Sequence, residues 1–217
     1  MASLDRVIHR TRRASGEPEG ALVLLHGRAT DENDLYPLLD MLDPGQRLTG
    51  YTLRGPLNLP PGGWHWYRLA GIPTPDPMTF TATFERLSDW LDALAAETGV
   101  PIERTVVGGF SQGCVMSYAL GLSSVRPAPA GIVALSGFLP RVPGFQLDLE
   151  SRDGLPVAIG HGAHDQVIGV EYGREARRLL TEGGLRVTWR ESPMMHGVDP
   201  GYLEELADWL LEAVPSS

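Results

Sequence analysis

Three residues in this sequence have the types and the order that acyl transfer needs: Ser111 in GGFSQG, Asp165 in HGAHDQVI and His196 in MMHGVDPG. A serine hydroxyl is a poor nucleophile until a base takes its proton, and the base must be oriented by an acid. The pentapeptide G-F-S-Q-G (109–113) fits the short pattern G-x-S-x-G, which is informative only where a strand leads in and a helix leads out. ERTVVGG supplies a strand and CVMSYALGL a helical continuation, with Ser111 at the junction. Gly109 and Gly113 would relieve crowding at such a tight turn. The Gln112 N–H, at the helix start, would face the same space as the serine hydroxyl and receive an oxyanion.

The partners should follow in the order serine, acid, histidine. Only His161, His164 and His196 come after Ser111. The first two sit just past a strand where the acid is expected, so His196, in the loop after the next strand, is the expected base. Asp165 is the expected acid. Asp148, Glu150 and Asp153 belong to a polar connection before that strand, and Asp199 is better explained as a helix cap. A second oxyanion donor should come from LHGRATDENDL, where His26-Gly27 lets the backbone approach and the N–H of Arg28 is the candidate. For its side chain, solvated surface is the ordinary expectation.

Elements must exist to carry these loops. Short apolar runs bounded by Gly or Pro read as buried strands: ALVLL (21–25), TVV (105–107), AGIVAL (130–135), LPVAI (155–159) and LRVTW (185–189). Runs apolar on both faces suggest a parallel sheet covered on both sides. Phe80, Phe84, Leu87, Leu91 and Leu94 form one helical stripe. Val115, Ala119 and Leu122 repeat the pattern, as do Tyr172, Ala176, Leu179 and Leu180 before the Gly183-Gly184 stop. A last helix opens at Asp199-Pro200 and buries Tyr202, Leu206, Trp209, Leu210 and Ala213. Alternating strands and helices imply right-handed βαβ units. Residues 7–13 and 48–54 could add strands, the first as an antiparallel edge. The stretch 55–77 is proline-rich and aperiodic, a long loop of the kind that carries function.

A chain of 217 residues, 42% hydrophobic and 21% charged, suits one sizeable core, so a single domain over 1–217 is expected. A net charge of -9 argues against nucleic acid as a partner. Cys114 is the single cysteine, which excludes an intrachain disulfide and fits a reducing compartment, cytoplasm by default. Three residues past Ser111 on a helix, it reads as a small core hydrophobe. No apolar run is long enough for a signal peptide or a membrane span. His161, His164 and Asp165 could be read as a metal cluster, but a catalytic metal typically needs three protein ligands and no further spaced ligands follow. No metal and no cofactor is expected. Trp64, Trp66 and Tyr67 would either line an acyl pocket or cover the sheet.

LLHG with its polar loop, GGFSQG, HGAHDQVI and a final HG before an acidic amphipathic helix together resemble the phospholipase/carboxylesterase family of α/β-hydrolases. That family includes acyl-protein thioesterases and small bacterial carboxylesterases. The resemblance implies a minimal α/β-hydrolase without a large cap domain, a triad of Ser111, Asp165 and His196, and an oxyanion hole of the Arg28 and Gln112 amides. RGPLNLPPGGWHWYRL matches the family's segment at Arg54, Pro56, Gly62, Gly63, Trp66 and Tyr67, a region that borders the acyl pocket in relatives and so implies Trp66 and Tyr67 as substrate-binding residues. Arg28 departs from the leucine usual in relatives, and HGVDPGYLEEL from the common His-Glu-x-x-Pro.

The function expected is hydrolysis of small to medium acyl esters through an acyl-enzyme, on a small-molecule substrate. The rivals are lysophospholipase or thioesterase action on long acyl chains, and a non-catalytic ligand-binding member of the same fold. An exposed apolar pocket mouth would serve either substrate or a second copy of the chain, which leaves a homodimer open.

Overall fold

The computed structural model describes residues 3–214. In chain order they form β1 (His9–Arg12), β2 (Ala21–Leu25), α1 (Leu38–Leu42), β3 (Thr49–Leu53), a short hairpin of β4 (Leu57–Asn58) and β5 (Trp64–His65), and α2 (Pro77–Thr98). There follow β6 (Thr105–Phe110), α3 (Gln112–Leu122), β7 (Gly131–Leu135), β8 (Pro156–Gly162), α4 (Val170–Glu182), β9 (Arg186–Ser192) and α5 (Pro200–Ala213).

Seven strands make one sheet in the order β1-β3-β2-β6-β7-β8-β9. β1 pairs antiparallel with β3, and every other pairing is parallel. The apolar runs are buried on both faces, and the two-residue alternation of a strand divides each between two cores. Ala21, Val23 and Leu25 of β2 join the cluster beneath α2, α3 and α4. Leu22 and Leu24 join the cluster beneath α1 and α5, with Leu39, Leu206 and Leu210.

α2 starts where Asp76 accepts the Thr79 N–H at 3.0 Å, with Pro77 in the first turn, and ends at Gly99. Its stripe of Phe80, Phe84, Leu87, Leu91 and Leu94 is buried as the spacing predicts. α3 differs from the amphipathic expectation: all 11 of its residues are buried. It lies against β6, β7 and α2 at once, so its small residues are what let it fit. Within 55–77 the sequence shows no period because the hairpin β4-β5 has only two residues per strand.

This topology brings one end of the sheet into use. The loops after β2, β6, β8 and β9 carry Arg28, Ser111, Asp165 and His196, all beyond the carboxyl ends of parallel strands. At the β6–α3 turn the packing is tight to the point of excluding side chains. A Cβ on Gly113 would lie 1.9 Å from the Leu25 carbonyl oxygen, and one on Gly109 would lie 2.5 Å from the Gly113 carbonyl carbon. Both obstacles are backbone and cannot yield. Gly113→Ala is therefore expected to lower stability by about 3 kcal/mol or more, or to prevent folding. Denaturant unfolding of the variant checks this, and a midpoint equal to the wild type's would contradict it.

Candidate active site

Ser111 occupies φ 54°, ψ −115°, a backbone conformation that side chains with a Cβ rarely adopt. The strain is held from both sides. The Ser111 N–H donates to the Leu135 carbonyl at 2.9 Å, and the Ser111 carbonyl accepts the Val115 N–H at 3.2 Å as α3 begins. The turn lifts the hydroxyl off the sheet edge and towards the loop after β9. There His196 Nε2 stands 3.1 Å from Ser111 Oγ, and His196 Nδ1 stands 2.6 Å from Asp165 Oδ2. A carboxylate only accepts, so Nδ1 carries the ring proton and Nε2 is left to accept from the serine hydroxyl.

Asp165 is held as firmly as the ring it faces. Its Oδ1 accepts the N–H groups of Val167 and Ile168 at 2.8 and 2.9 Å, which leaves Oδ2 for the histidine. The acid and base loops are joined through their backbones: the Ala163 N–H donates to the Ser192 carbonyl at 2.7 Å and the His164 N–H to the Met194 carbonyl at 3.0 Å. Gly162 permits this approach, because a Cβ there would meet the Met195 carbonyl oxygen at 2.2 Å. Ser136 Oγ donates to the Gly197 carbonyl at 3.0 Å, and the Phe110 ring packs 4.7 Å, centroid to centroid, from His196.

His161 turns out to matter to the acid. Its Nε2–H donates to the Ile168 carbonyl at 2.8 Å and sits 3.5 Å from Asp165 Oδ2, with both side chains fully buried. Burial pushes its pKa below the ordinary histidine value, so it stands as a neutral ring steadying the acid loop. The spacing of four between His161 and Asp165 was the available signal. His164 contributes its backbone only to the hydrogen bonds described above, and among the described residues no group of three or more His, Cys, Asp or Glu could hold a metal ion.

The polar loop after β2 is fastened to the β4-β5 hairpin. The Ala29 N–H donates to the Trp64 carbonyl at 2.9 Å, and the Trp64 N–H donates to the Thr30 carbonyl at 2.8 Å. His26 Nδ1–H donates to the Gly27 carbonyl at 2.6 Å, and its Nε2 accepts the Gly55 N–H at 2.9 Å. The ring is neutral, because burial lowers its pKa more than the Gly27 hydrogen bond raises it. Among the described residues, neither the Arg28 nor the Gln112 amide is taken up by a turn, loop or cap hydrogen bond. Both residues line the space in front of Ser111.

That space is a cavity of about 250 Å³ walled by Tyr67, Phe110, Phe138, Val167 and Ile168, with His196 at its edge. Leu69, Ile72 and Val167 form an exposed apolar mouth. A larger cavity, about 500 Å³ between the start of the chain and α2, shares no lining residue with it and contains none of the three aligned side chains. Of the two pocket residues expected from the sequence, Tyr67 lines the cavity and Trp66 does not. Trp66 is fully buried behind it, its ring tilted against His26 with centroids 4.9 Å apart and donating Nε1–H to the His26 carbonyl at 2.7 Å. Its indole N–H needed a buried acceptor, and the backbone of the β2 loop supplies one.

Sequence reasoning gave Gln112 only a backbone part. Its side-chain Oε1 accepts the Trp66 N–H at 3.1 Å, and its Nε2 donates to the Tyr67 carbonyl at 3.0 Å. The residue next to the serine thus grips the segment that floors the cavity. An amide so close to a tight turn, able both to donate and to accept, was the only clue.

A serine on a strained strand-to-helix turn, with acid and base supplied later in the chain from neighbouring strand ends, is the arrangement of one class, the serine hydrolases of the α/β-hydrolase fold. Within that class the chain belongs to the phospholipase/carboxylesterase family, whose profile matches residues 9–213. It is 32% identical over 123 residues to acyl-protein thioesterase 1 of Yarrowia lipolytica, a match covering 54% of this chain and 53% of that one. It is 29% identical over 167 residues to acyl-protein thioesterase 1 of Cryptococcus neoformans, covering 69% and 68%. The chain thus spans about half the length of the first of these relatives and about two thirds of the second. Among solved structures it resembles the Bacillus cereus carboxylesterase with a TM-score of 0.82 and 25% identity, covering 95% of this chain and 94% of the other.

Three buried histidines give the fold a sensitivity to acid. His26, His65 and His161 all have pKa values lowered chiefly by burial. The unfolded chain therefore binds more protons than the folded one once the pH drops below about 6.5, and stability, complete above that value, falls as the pH drops through the lowered folded values. A loss of about 1–3 kcal/mol is expected between pH 7.5 and 5.5. Urea unfolding at the two pH values measures it; an unchanged midpoint would contradict neutral burial of these rings.

Proposed function

We propose that the protein is a serine carboxylesterase that hydrolyses esters with small to medium acyl groups through an acyl-enzyme intermediate. The observation that carries this reading is the hydrogen-bonded series Ser111–His196–Asp165 opening into a cavity of about 250 Å³. That volume lies below the usual ~300–1,000 Å³ of ligand pockets, which suits a short acyl group better than a long one.

In the proposed cycle His196 Nε2 takes the proton of Ser111 as Oγ attacks the ester carbonyl. Asp165 keeps the proton of the ring on Nδ1 and stabilises the imidazolium that forms. The carbonyl oxygen, now negative, rests on the Arg28 and Gln112 amides, which need no reorganisation to receive it. When the tetrahedral intermediate collapses, His196 gives its proton to the departing alcohol and the acyl group stays on Ser111. Water, deprotonated by the same imidazole, then attacks the acyl-enzyme and releases the acid. Every proton taken is returned, and no further group is consumed.

A thioester would pass through the same steps with a thiol leaving. The names of the acyl-protein thioesterase relatives and the exposed apolar mouth at Leu69, Ile72 and Val167 favour keeping that second reading. A reducing, cytoplasmic setting belongs to the same proposal, with the lone buried Cys114 in support.

Two measurements test the reading. A fluorophosphonate should label Ser111 in folded protein, and Ser111→Ala should abolish labelling and lower kcat by about 10⁴-fold or more. Absence of an adduct would leave the non-catalytic alternative standing. In a series of p-nitrophenyl esters, kcat/KM should peak between acetyl and hexanoyl and decline towards palmitoyl; a maximum at the long end would overturn the short-chain reading in favour of the lysophospholipase or thioesterase one.

A further inference from the structure

The lining of the cavity is apolar or neutral except at one place. Among the described residues Arg28, itself exposed, is the only lining residue that carries a cationic side chain, in a chain whose net charge is -9. Eight arginines among the described residues pair with an acid. Arg28 has three in its own loop, and each is committed elsewhere. Asp31 Oδ1 accepts the backbone and side-chain N–H groups of Asn33 at 2.9 and 3.0 Å. Glu32 takes both prongs of Arg54 at 2.5 Å, and Asp34 accepts the Thr30 hydroxyl at 3.1 Å. Among the described residues no hydrogen bond or ion pair engages the Arg28 guanidinium. Its uncompensated charge is felt next door, where after burial it is the largest influence lowering the pKa of His65.

Position gives this charge its meaning. The loop holding Arg28 is pinned on both sides, by His26 to Gly55 and by Ala29 to Trp64, so the stem of the side chain starts beside the carbonyl that Ser111 would attack. A guanidinium rooted there and free of protein partners presents its planar donors to whatever enters the cavity. Asp165 is fully buried and committed to the His196 ring and to the Val167 and Ile168 amides. The apolar walls raise the strength of a charge pair formed between them.

We infer that Arg28 selects esters carrying an anionic oxyacid group, a carboxylate or a phosphate, close to the scissile carbonyl. This rests on the esterase reading above and narrows it to a substrate class. The long-range field of an acidic protein repels such substrates, so the selectivity must come from this local contact and should weaken with added salt.

The experiment compares kcat/KM ratios, charged over neutral, in wild type and in Arg28→Gln, Arg28→Glu and Arg28→Lys, each corrected for uncatalysed hydrolysis. One arm puts the charge on the acyl side, with monophenyl glutarate against phenyl 5-methylhexanoate. The other puts it on the leaving group, with 4-acetoxybenzoate and 4-acetoxyphenyl phosphate against 4-methylphenyl acetate. On at least one arm the ratio should fall about tenfold in Arg28→Gln and further in Arg28→Glu, with Arg28→Lys retaining part of it. The responsive arm identifies the side and kind of anion. Ratios that agree within about twofold between wild type and Arg28→Gln on both arms overturn the inference while leaving the esterase intact. Failure of the wild type to turn over any of these esters overturns the esterase reading, and the inference falls with it.

Discussion

The site depends on one steric contact, the approach of the β6–α3 turn to the carboxyl end of β2. The Leu25 carbonyl occupies the space where a side chain at 113 would begin. This closeness goes with the positive φ of Ser111 and with the packing of α3 across β6, β7 and β2. Arg28 and Gln112, on either side of the contact, both line the space in front of the serine hydroxyl. Loosen the contact and the hydroxyl, both amides and the packing of α3 all move together.

Around that contact the loops are fixed to one another more than to the sheet. Backbone hydrogen bonds join the acid loop to the base loop, and others join the Arg28 loop to the hairpin. Gln112, next to Ser111, holds the Trp66 N–H and the Tyr67 carbonyl that follow the hairpin. Four chain segments that are distant in sequence therefore form one interlocked layer, and positions within it are set by peptide groups instead of long flexible side chains. Such a layer loses little entropy when a reaction demands order, because the order is already present.

What could be read from the sequence follows the range of the forces involved. The strands showed themselves because burial on two faces demands continuous apolar runs, and the stripe of α2 because one face must be apolar. The order of Ser111, Asp165 and His196 was legible because parallel strands with crossovers put successive loops at one end. The family's segment implies Trp66 and Tyr67 together as pocket residues; only tertiary packing decides that one ring faces the cavity and the other faces His26. The part His161 plays under the acid and the grip of Gln112 on the hairpin are likewise contacts across more than one element, with no periodic trace. α3 read as amphipathic because its small residues gave no sign that a third neighbour covers the remaining face.

Cys114 lies one turn into α3, fully buried, its sulfur so close to Gly137 that a Cβ there would come within 2.4 Å of it. Burial pushes the thiol's pKa up, which makes it unreactive while the core is closed. The molecule thus contains its own chemical clock. The rate at which a thiol reagent reaches Cys114 counts the openings of the packing beneath Ser111, separately from the fraying of the outer helices.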